Sequence, residues 1–345
     1  MSAVITASTV LCSTGRGTEQ VWTSVRSGIA RIGSSHVMDR HFEPIQMGLV
    51  PEDALPPLPA ELDALPLPPR ARRMLRLAAP MLTGIAAGIT EPVALYLGMP
   101  QLNPATSAWL NDFIPNLAKA SDVALDFKAS QVFPLGRAAA LIALQAALDA
   151  LQREPNKPVI VGGVDTFFDL RLLAELDTEQ RILGSRVMDG FIPGEGAAFI
   201  VLSTHAPSDR PVVFVQGAAS VKDPGHRYGT EPARGEGLAL ALDQLRPKLS
   251  DPSTPIATTF AGFNGESFDA KLWGVARLRH SNWFTPDMVM QHPADCFGDT
   301  GAASGAVLLA LAAETLIKAH RKSPALVWSA SDHESRACAV LSTQG

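Results

Sequence analysis

Two stretches of this chain, residues 135–151 and 301–320, are rich in alanine, and the first is apolar around most of its circumference. A helix without a polar face cannot lie on a surface; it has to be enclosed. The remaining sequence supplies what could enclose it. Strand-like runs at residues 4–7, 92–97, 122–127, 159–163, 197–202, 212–215, 256–260, 325–329 and 336–341 alternate with helical runs at 19–28, 71–89, 106–120, 235–245 and 265–278. Gly28 is suited to end the first helical run, and Thr106 or Ser107 to cap the third. The strand runs are nearly continuous in apolar residues, the pattern of mainly parallel sheets covered by helices on both faces. Residues 51–70 hold seven prolines, which lack a donor and fix φ, so this span reads as a surface loop. With one alanine-rich helix in each half, the pattern leads to a duplicated α/β/α/β/α sandwich divided into residues 1–205 and 206–345.

Composition excludes several functions. With 46% apolar and 18% charged residues, the chain is globular. A net charge of -5 leaves no basic footprint for nucleic acid. The apolar run 301–313 is too short for a bilayer, and the first residues lack the basic start of a secretory signal, so a cytoplasmic setting is expected. Cys12, Cys296 and Cys338 are too few and too scattered for a disulfide framework or a zinc site, and the eight histidines show no paired-ligand spacing. No metal and no cofactor is expected.

The most specific motif is glycine-rich: Asp189-Gly190-Phe191-Ile192-Pro193-Gly194-Glu195-Gly196-Ala197-Ala198. It is accompanied by Val161-Gly162-Gly163-Val164-Asp165 at a strand end, and by Gly298-Asp299-Thr300-Gly301-Ala302-Ala303-Ser304-Gly305 where the second alanine-rich helix opens. The beginning runs from Ile5-Thr6 through Ser13-Thr14-Gly15 to Trp22 and Gly28. Over nearly its whole length the chain resembles the β-ketoacyl synthase branch of the thiolase fold, whose members carry DGFxxGEGA, AGGxD and GHxxGAAG at these places. The resemblance implies the thiolase fold, a five-layer α/β/α/β/α sandwich with mixed, mainly parallel sheets. It also implies where a cysteine and two histidines would stand in an acyl-condensing enzyme.

None of the three is present. The family's cysteine sits at the N-terminus of the first inner helix, where free N–H groups and the helix dipole favour a thiolate. Counting back from Gly136 places Phe133 there. The first histidine becomes Ala261, in a loop that keeps Gly262 and Asp269, and the second becomes Asp299. The lysine that precedes the second histidine by five residues falls at Ala294. The glycine-rich loop of the oxyanion hole is replaced by residues 329–336, which carry Asp332, His333, Glu334 and Arg336. Losing one such group costs several orders of magnitude in rate. Losing all of them leads to the expectation that condensation is gone.

Each position has two readings. Phe133 plugs the former pocket or gates an acyl tunnel. Asp299 caps the helix that follows or acts as an acid or base. Asp189, Gly190, Gly194, Glu195, Gly196, Gly298 and Gly305 read as packing positions, with Glu195 a buried structural carboxylate. The resemblance then implies a catalytically inactive accessory subunit with a protein partner. One precedent is the chain-length-factor-like subunit that pairs with an active synthase; the other is the thiolase-like protein of type VI secretion clusters, thought to assist effector loading. The alternative is an acyltransferase-like or decarboxylase-like enzyme with a relocated site at Cys296, Asp299 and His333, acting on acyl thioesters. A homodimer or heterodimer through the central strand near Phe133 is implied as well.

Overall fold

The computed structural model describes residues 3–102 and 107–344. Strand β1 (Ala3–Cys12) turns through β2 (Gly15–Arg16) into helix α1 (Thr18–Arg26), and a small separate hairpin follows, β3 (Gly33–Met38) with β4 (Pro44–Met47). Next come α2 (Ala60–Asp63), α3 (Pro69–Ile85), β5 (Ala94–Met99), α4 (Phe113–Ser121), β6 (Gln131–Pro134), α5 (Ala139–Arg153), β7 (Val159–Thr166), α6 (Leu170–Thr178) and β8 (Glu195–Ser203). The chain continues with β9 (Val213–Lys222), α7 (Glu236–Leu245), β10 (Ile256–Ala261), α8 (Ser267–Arg279), β11 (Phe284–Gln291), α9 (Ala294–Phe297), α10 (Ser304–Ile317), β12 (Ala325–Ala330) and β13 (Ser335–Ser342).

Ten of these strands form one continuous mixed sheet in the order β11-β10-β12-β13-β9-β1-β8-β7-β5-β6, with β2 attached to β1. The pairs β10·β11, β10·β12, β5·β6 and β5·β7 are parallel, and the five pairs between them in the sheet are antiparallel. The expectation of mainly parallel sheets is therefore corrected: the flanks are parallel and the centre is antiparallel. Residues 331–334 join β12 to β13 too tightly for a parallel crossover. Strands buried on both faces are apolar throughout, so their sequences do not reveal their direction. Taken by chain order, the set β1, β5, β6, β7, β8 and the set β9 to β13 both read third, second, fourth, fifth, first across the sheet. The ladder of Ala3–Ile5 with Val213–Val215 joins the two sets.

The two alanine-rich helices lie where their composition demands. α5 and α10 share one buried cluster with apolar residues from β1, β7, β8, β9, β12 and β13. α3 and α4 cover the opposite face of the first set, and α7 and α8 that of the second. Small residues set the closeness of this packing. A Cβ added at Gly305 in α10 would lie 3.2 Å from the Ala140 Cβ of α5, and one at Gly163 in β7 only 2.5 Å from the Ala302 carbonyl oxygen.

Local expectations differ from the structure in several places. Residues 122–127 form only an isolated bridge, Val93 to Leu125, and the strand is β6 further on. Asp122 takes a positive φ of 54°, and the Asp126 carboxylate accepts the N–H groups of Lys128 and Ala129, so local turn chemistry wins there. The proline span contains α2 and a 3-10 turn at Glu52–Ala54, and its last proline opens α3 at a first-turn position that needs no donor. Of the two caps named, Thr106 lies outside the described residues, and Ser107 precedes a 3-10 turn, Ala108–Asp112. The β3–β4 hairpin, α6 and β11 were not expected from the sequence; α6 is announced by Asp169, whose side chain accepts the N–H groups of Arg171 and Leu172. No helix among the described residues is long and apolar enough to cross a membrane.

Because Gly163 faces backbone that cannot swing away, Gly163→Val is expected to lower stability by at least about 1–3 kcal/mol through overpacking. Chemical denaturation of the full chain measures it.

Candidate functional site

The N-termini of the two enclosed helices meet. β6 leads through Gly136, whose φ of +72° suits glycine, into a 3-10 turn at Gly136–Ala138 and then α5. α10 is entered in the same way through Gly301 and a turn at Gly301–Ala303. Phe133 is thus not at the helix N-terminus, as counting back from Gly136 led one to expect. It lies inside β6, buried against Tyr96 with ring centroids 6.4 Å apart. The glycine marks the turn itself, so the residue in the first turn facing the site is Arg137.

Arg137 is buried, and its Nε donates to Asp299 Oδ2 at 2.5 Å while Nη1 donates to Asp332 Oδ1 at 2.8 Å. Asp299, also buried, accepts the Gly301 N–H on Oδ1 at 2.8 Å and the Asn264 amide on Oδ2 at 3.1 Å. It caps α10's opening turn and binds a cation at once. Arg181 extends the network. It grips Glu266 with two bonds of 2.9 and 2.7 Å, reaches Asp332 at 2.9 Å, and donates to the Tyr228 hydroxyl. Arg227 adds a contact to Glu266 at 3.0 Å. Burial opposes the charge on Arg137, but Asp299 and Asp332 outweigh it and hold the guanidinium more firmly protonated than usual. Burial likewise pushes the Asp332 carboxyl up, and Arg137 with Arg181 pulls it well below the ordinary carboxylate range.

N–H groups at the heads of both helices are occupied. The Ala138 N–H donates to Ser331 Oγ at 3.0 Å, and that hydroxyl passes its own hydrogen to the Leu135 carbonyl. The Ala302 N–H donates to Asp165 Oδ2 at 2.9 Å, and Arg70 balances Asp165 at 2.7 Å. Beside Ala261 and Asp299 lies a small cavity of about 20 Å³, space for one water and no acyl chain.

The three thiols are buried and lack a base. Burial pushes Cys12 up to about 11, despite its bond to the Thr14 hydroxyl, and drives Cys338 and Cys296 upward too, the latter with help from Asp295. No hydrogen bond or ion pair joins Cys296, Asp299 and His333 among the described residues. Asp299 borders the small cavity, whereas His333 lines a separate open cleft of about 1750 Å³ that Arg70, Arg137 and Arg181 also line.

The glycine-rich motif performs packing. Asp189 accepts the Ser267 N–H and hydroxyl at the start of α8. Glu195 is fully enclosed, held by Arg73 through two bonds of 2.6 Å, by Thr166 and by the Val50 N–H. Cβ atoms at Gly190, Gly194 and Gly196 would each meet a backbone carbonyl within 2.8 Å, and Gly298 turns with a φ of +78°. Sequence reasoning missed Arg137, Asn264, Glu266 and Arg181. Arg137 had a visible signal: it is the lone charge at the head of an otherwise apolar helix.

No family model and no curated protein matches this sequence. Solved structures do match in shape. A ketosynthase from module 6 of the bacillaene synthase of Bacillus subtilis 168 superimposes with a TM-score of 0.78 at 14% identity, covering 100% of this chain and 72% of that one. The fold is that of the ketosynthases. The ketosynthase ApeO in complex with its chain length factor ApeC from Xenorhabdus doucetiae gives 0.78 at 14% identity, covering 99% and 98%. The ishigamide ketosynthase/chain length factor gives 0.73 at 17%, covering 100% of each chain.

Arg137→Met leaves Asp299 buried without its cation and is expected to cost about 3–5 kcal/mol. Adding Asp299→Asn should recover part of that loss, which a double-mutant cycle by chemical denaturation would read.

Asp269, buried on α8, has its pKa raised to about 7 chiefly by burial; Asp332, Glu266 and Asp299 add to this, and Arg137 opposes it. The folded protein therefore keeps a proton that the unfolded chain releases near 3.8, and the resulting stability is lost as pH rises toward about 7. Asp269→Asn should gain on the wild type between pH 5 and pH 8, measured as the difference in melting temperature at each pH.

Proposed function

We propose that this chain is a non-catalytic, ketosynthase-like subunit that acts by pairing with a condensing enzyme. One observation carries the reading: the head of α5, where a thiolate would be favoured, holds the buried guanidinium of Arg137 locked to Asp299 and Asp332. A cation there cannot attack a thioester, and the neighbouring N–H groups are already bonded. The matching strand order of the two sets supports a duplicated thiolase architecture behind this site.

Pairing is supported by the position of β6. It closes one end of the sheet, and among the described residues no strand pairs with its outer edge, the position that a ladder continued across a two-fold axis near Phe133 needs. Gln131 and Pro134 are exposed along it. Two of the similar structures are named as ketosynthase with chain length factor, one of them as a complex. By analogy, the partner is a ketosynthase that retains its cysteine.

The test is co-expression with a cysteine-bearing ketosynthase from the same organism, followed by size-exclusion chromatography and incubation of each species with acyl thioesters. The expected result is a one-to-one complex that Val132→Pro abolishes, and intact-mass adducts on the partner alone. An acyl adduct on this chain would overturn the loss of catalysis. Capture of a secretion effector in place of a condensing enzyme would move the assignment to the secretion-associated role.

A further inference from the structure

The loop that replaced the glycine-rich turn lies beside a second loop, and together they assemble metal-binding chemistry that the sequence keeps far apart. β9 and β13 run antiparallel with Lys222 opposite Ser335, so the residues leaving β9 face those entering β13. The ladder continues past both ends. The Asp223 N–H donates to the Glu334 carbonyl at 2.7 Å, and the Arg227 N–H to the Asp332 carbonyl at 3.0 Å. His226 is held between these two ties, against His333 and Glu334. One ligand atom from each of the three lies within 4.8 Å of the others.

The arrangement is rigid. Arg336, entirely buried, donates through Nη1 to the carbonyls of Ser331 at 2.8 Å and Ser335 at 3.0 Å, and to that of His333. The turn bearing His333 and Glu334 is thereby clamped from beneath. Tyr228 packs on His333 with ring centroids 5.1 Å apart. The two imidazole centroids are 5.5 Å apart at 49°. With Zn–N bonds of about 2.0–2.1 Å, two imidazoles on one tetrahedral ion have centroids about 5 Å apart. His226 Nδ1 is closed off from solvent and makes no hydrogen bond, an unusual state for a buried ring nitrogen.

We propose that His226, His333 and Glu334 bind a divalent transition-metal ion, zinc by ligand type. Two imidazoles and a carboxylate are a recognised three-ligand zinc set that leaves a fourth position for water. All three residues are only half-buried, so the ion has a path in. Lys222 lies 3.9 Å from Glu334 and competes weakly from solvent, while the neighbouring Asp223 and Asp332 are already paired with Arg336 and with Arg137, Arg181 and Arg227. Bound there, the ion would pin together the loop after β9 and the loop before β13, at the rim of the cleft that His333 lines. This site is independent of the pairing proposed above.

The experiment titrates Zn²⁺ into the full chain, stripped with chelator and dialysed, against a chromogenic zinc indicator. One equivalent should bind, and zinc should raise the melting temperature. His226→Ala and His333→Ala should each weaken binding at least about tenfold and remove the melting shift. Glu334→Gln, on a partly exposed side chain, reports the same loss should a histidine variant fail to fold. His292→Ala, at an exposed histidine paired with Asp295, should bind as the wild type does. Binding of less than one equivalent at micromolar zinc, or undiminished binding in the His226, His333 and Glu334 variants, overturns the proposal.

Discussion

Everything at the centre of this molecule answers to two helix N-termini brought head to head. Each carries N–H groups without an intrahelical partner and the positive end of a dipole, and both border the open cleft. An active condensing enzyme would leave part of that potential open for a thiolate and an oxyanion. Here it is consumed internally: Asp299 takes the N–H of Gly301, Asp165 that of Ala302, and Ser331 that of Ala138. Two carboxylates buried at such a place need cations, and Arg137 and Arg70 provide them.

That arrangement makes the residues at the two helix heads depend on one another as a set. A guanidinium at the head of α5 would be repelled by the dipole alone, so it depends on Asp299 and Asp332. Asp332 in turn sits in a loop that could not remain glycine-rich, and it is shared with Arg181, which Glu266 holds in place. Asn264, in the loop that begins where the first histidine would be, bonds to both Glu266 and Asp299. A half-satisfied polar network among buried groups is costly, so removing any one member leaves its neighbours exposed to that cost. The result is one linked polar network at the heads of α5 and α10, on the wall of the open cleft.

Much of the scaffold was legible beforehand because it rests on local or repetitive constraints. The alanine content of α5 and α10 required enclosure, and the structure encloses both. The DGFIPGEGAA motif could be read as packing because glycines that meet carbonyls and a carboxylate locked to an arginine are structural roles. The strand near residue 125 was misplaced because side chains of aspartate bonding to nearby N–H groups are not visible in apolar content. The direction of the central strands was hidden for a different reason: β7, β8, β12 and β13 are buried on both faces, which erases the alternation that would distinguish them.

By itself, the sequence determined the layered strand–helix character, the enclosed helices and the absence of a cysteine and two histidines at the expected places, since these follow from residue identity and short-range spacing. Only the tertiary structure decided which side chain stands at the head of α5, because the register of a turn depends on where Gly136 adopts its positive φ. It alone decided that Arg137, Asp299, Asp332, Arg181 and Glu266 form one network, and that His226 stands beside His333. Charges and imidazoles interact through space, and their pairing is set by strand order across the sheet, which no pattern along the chain records.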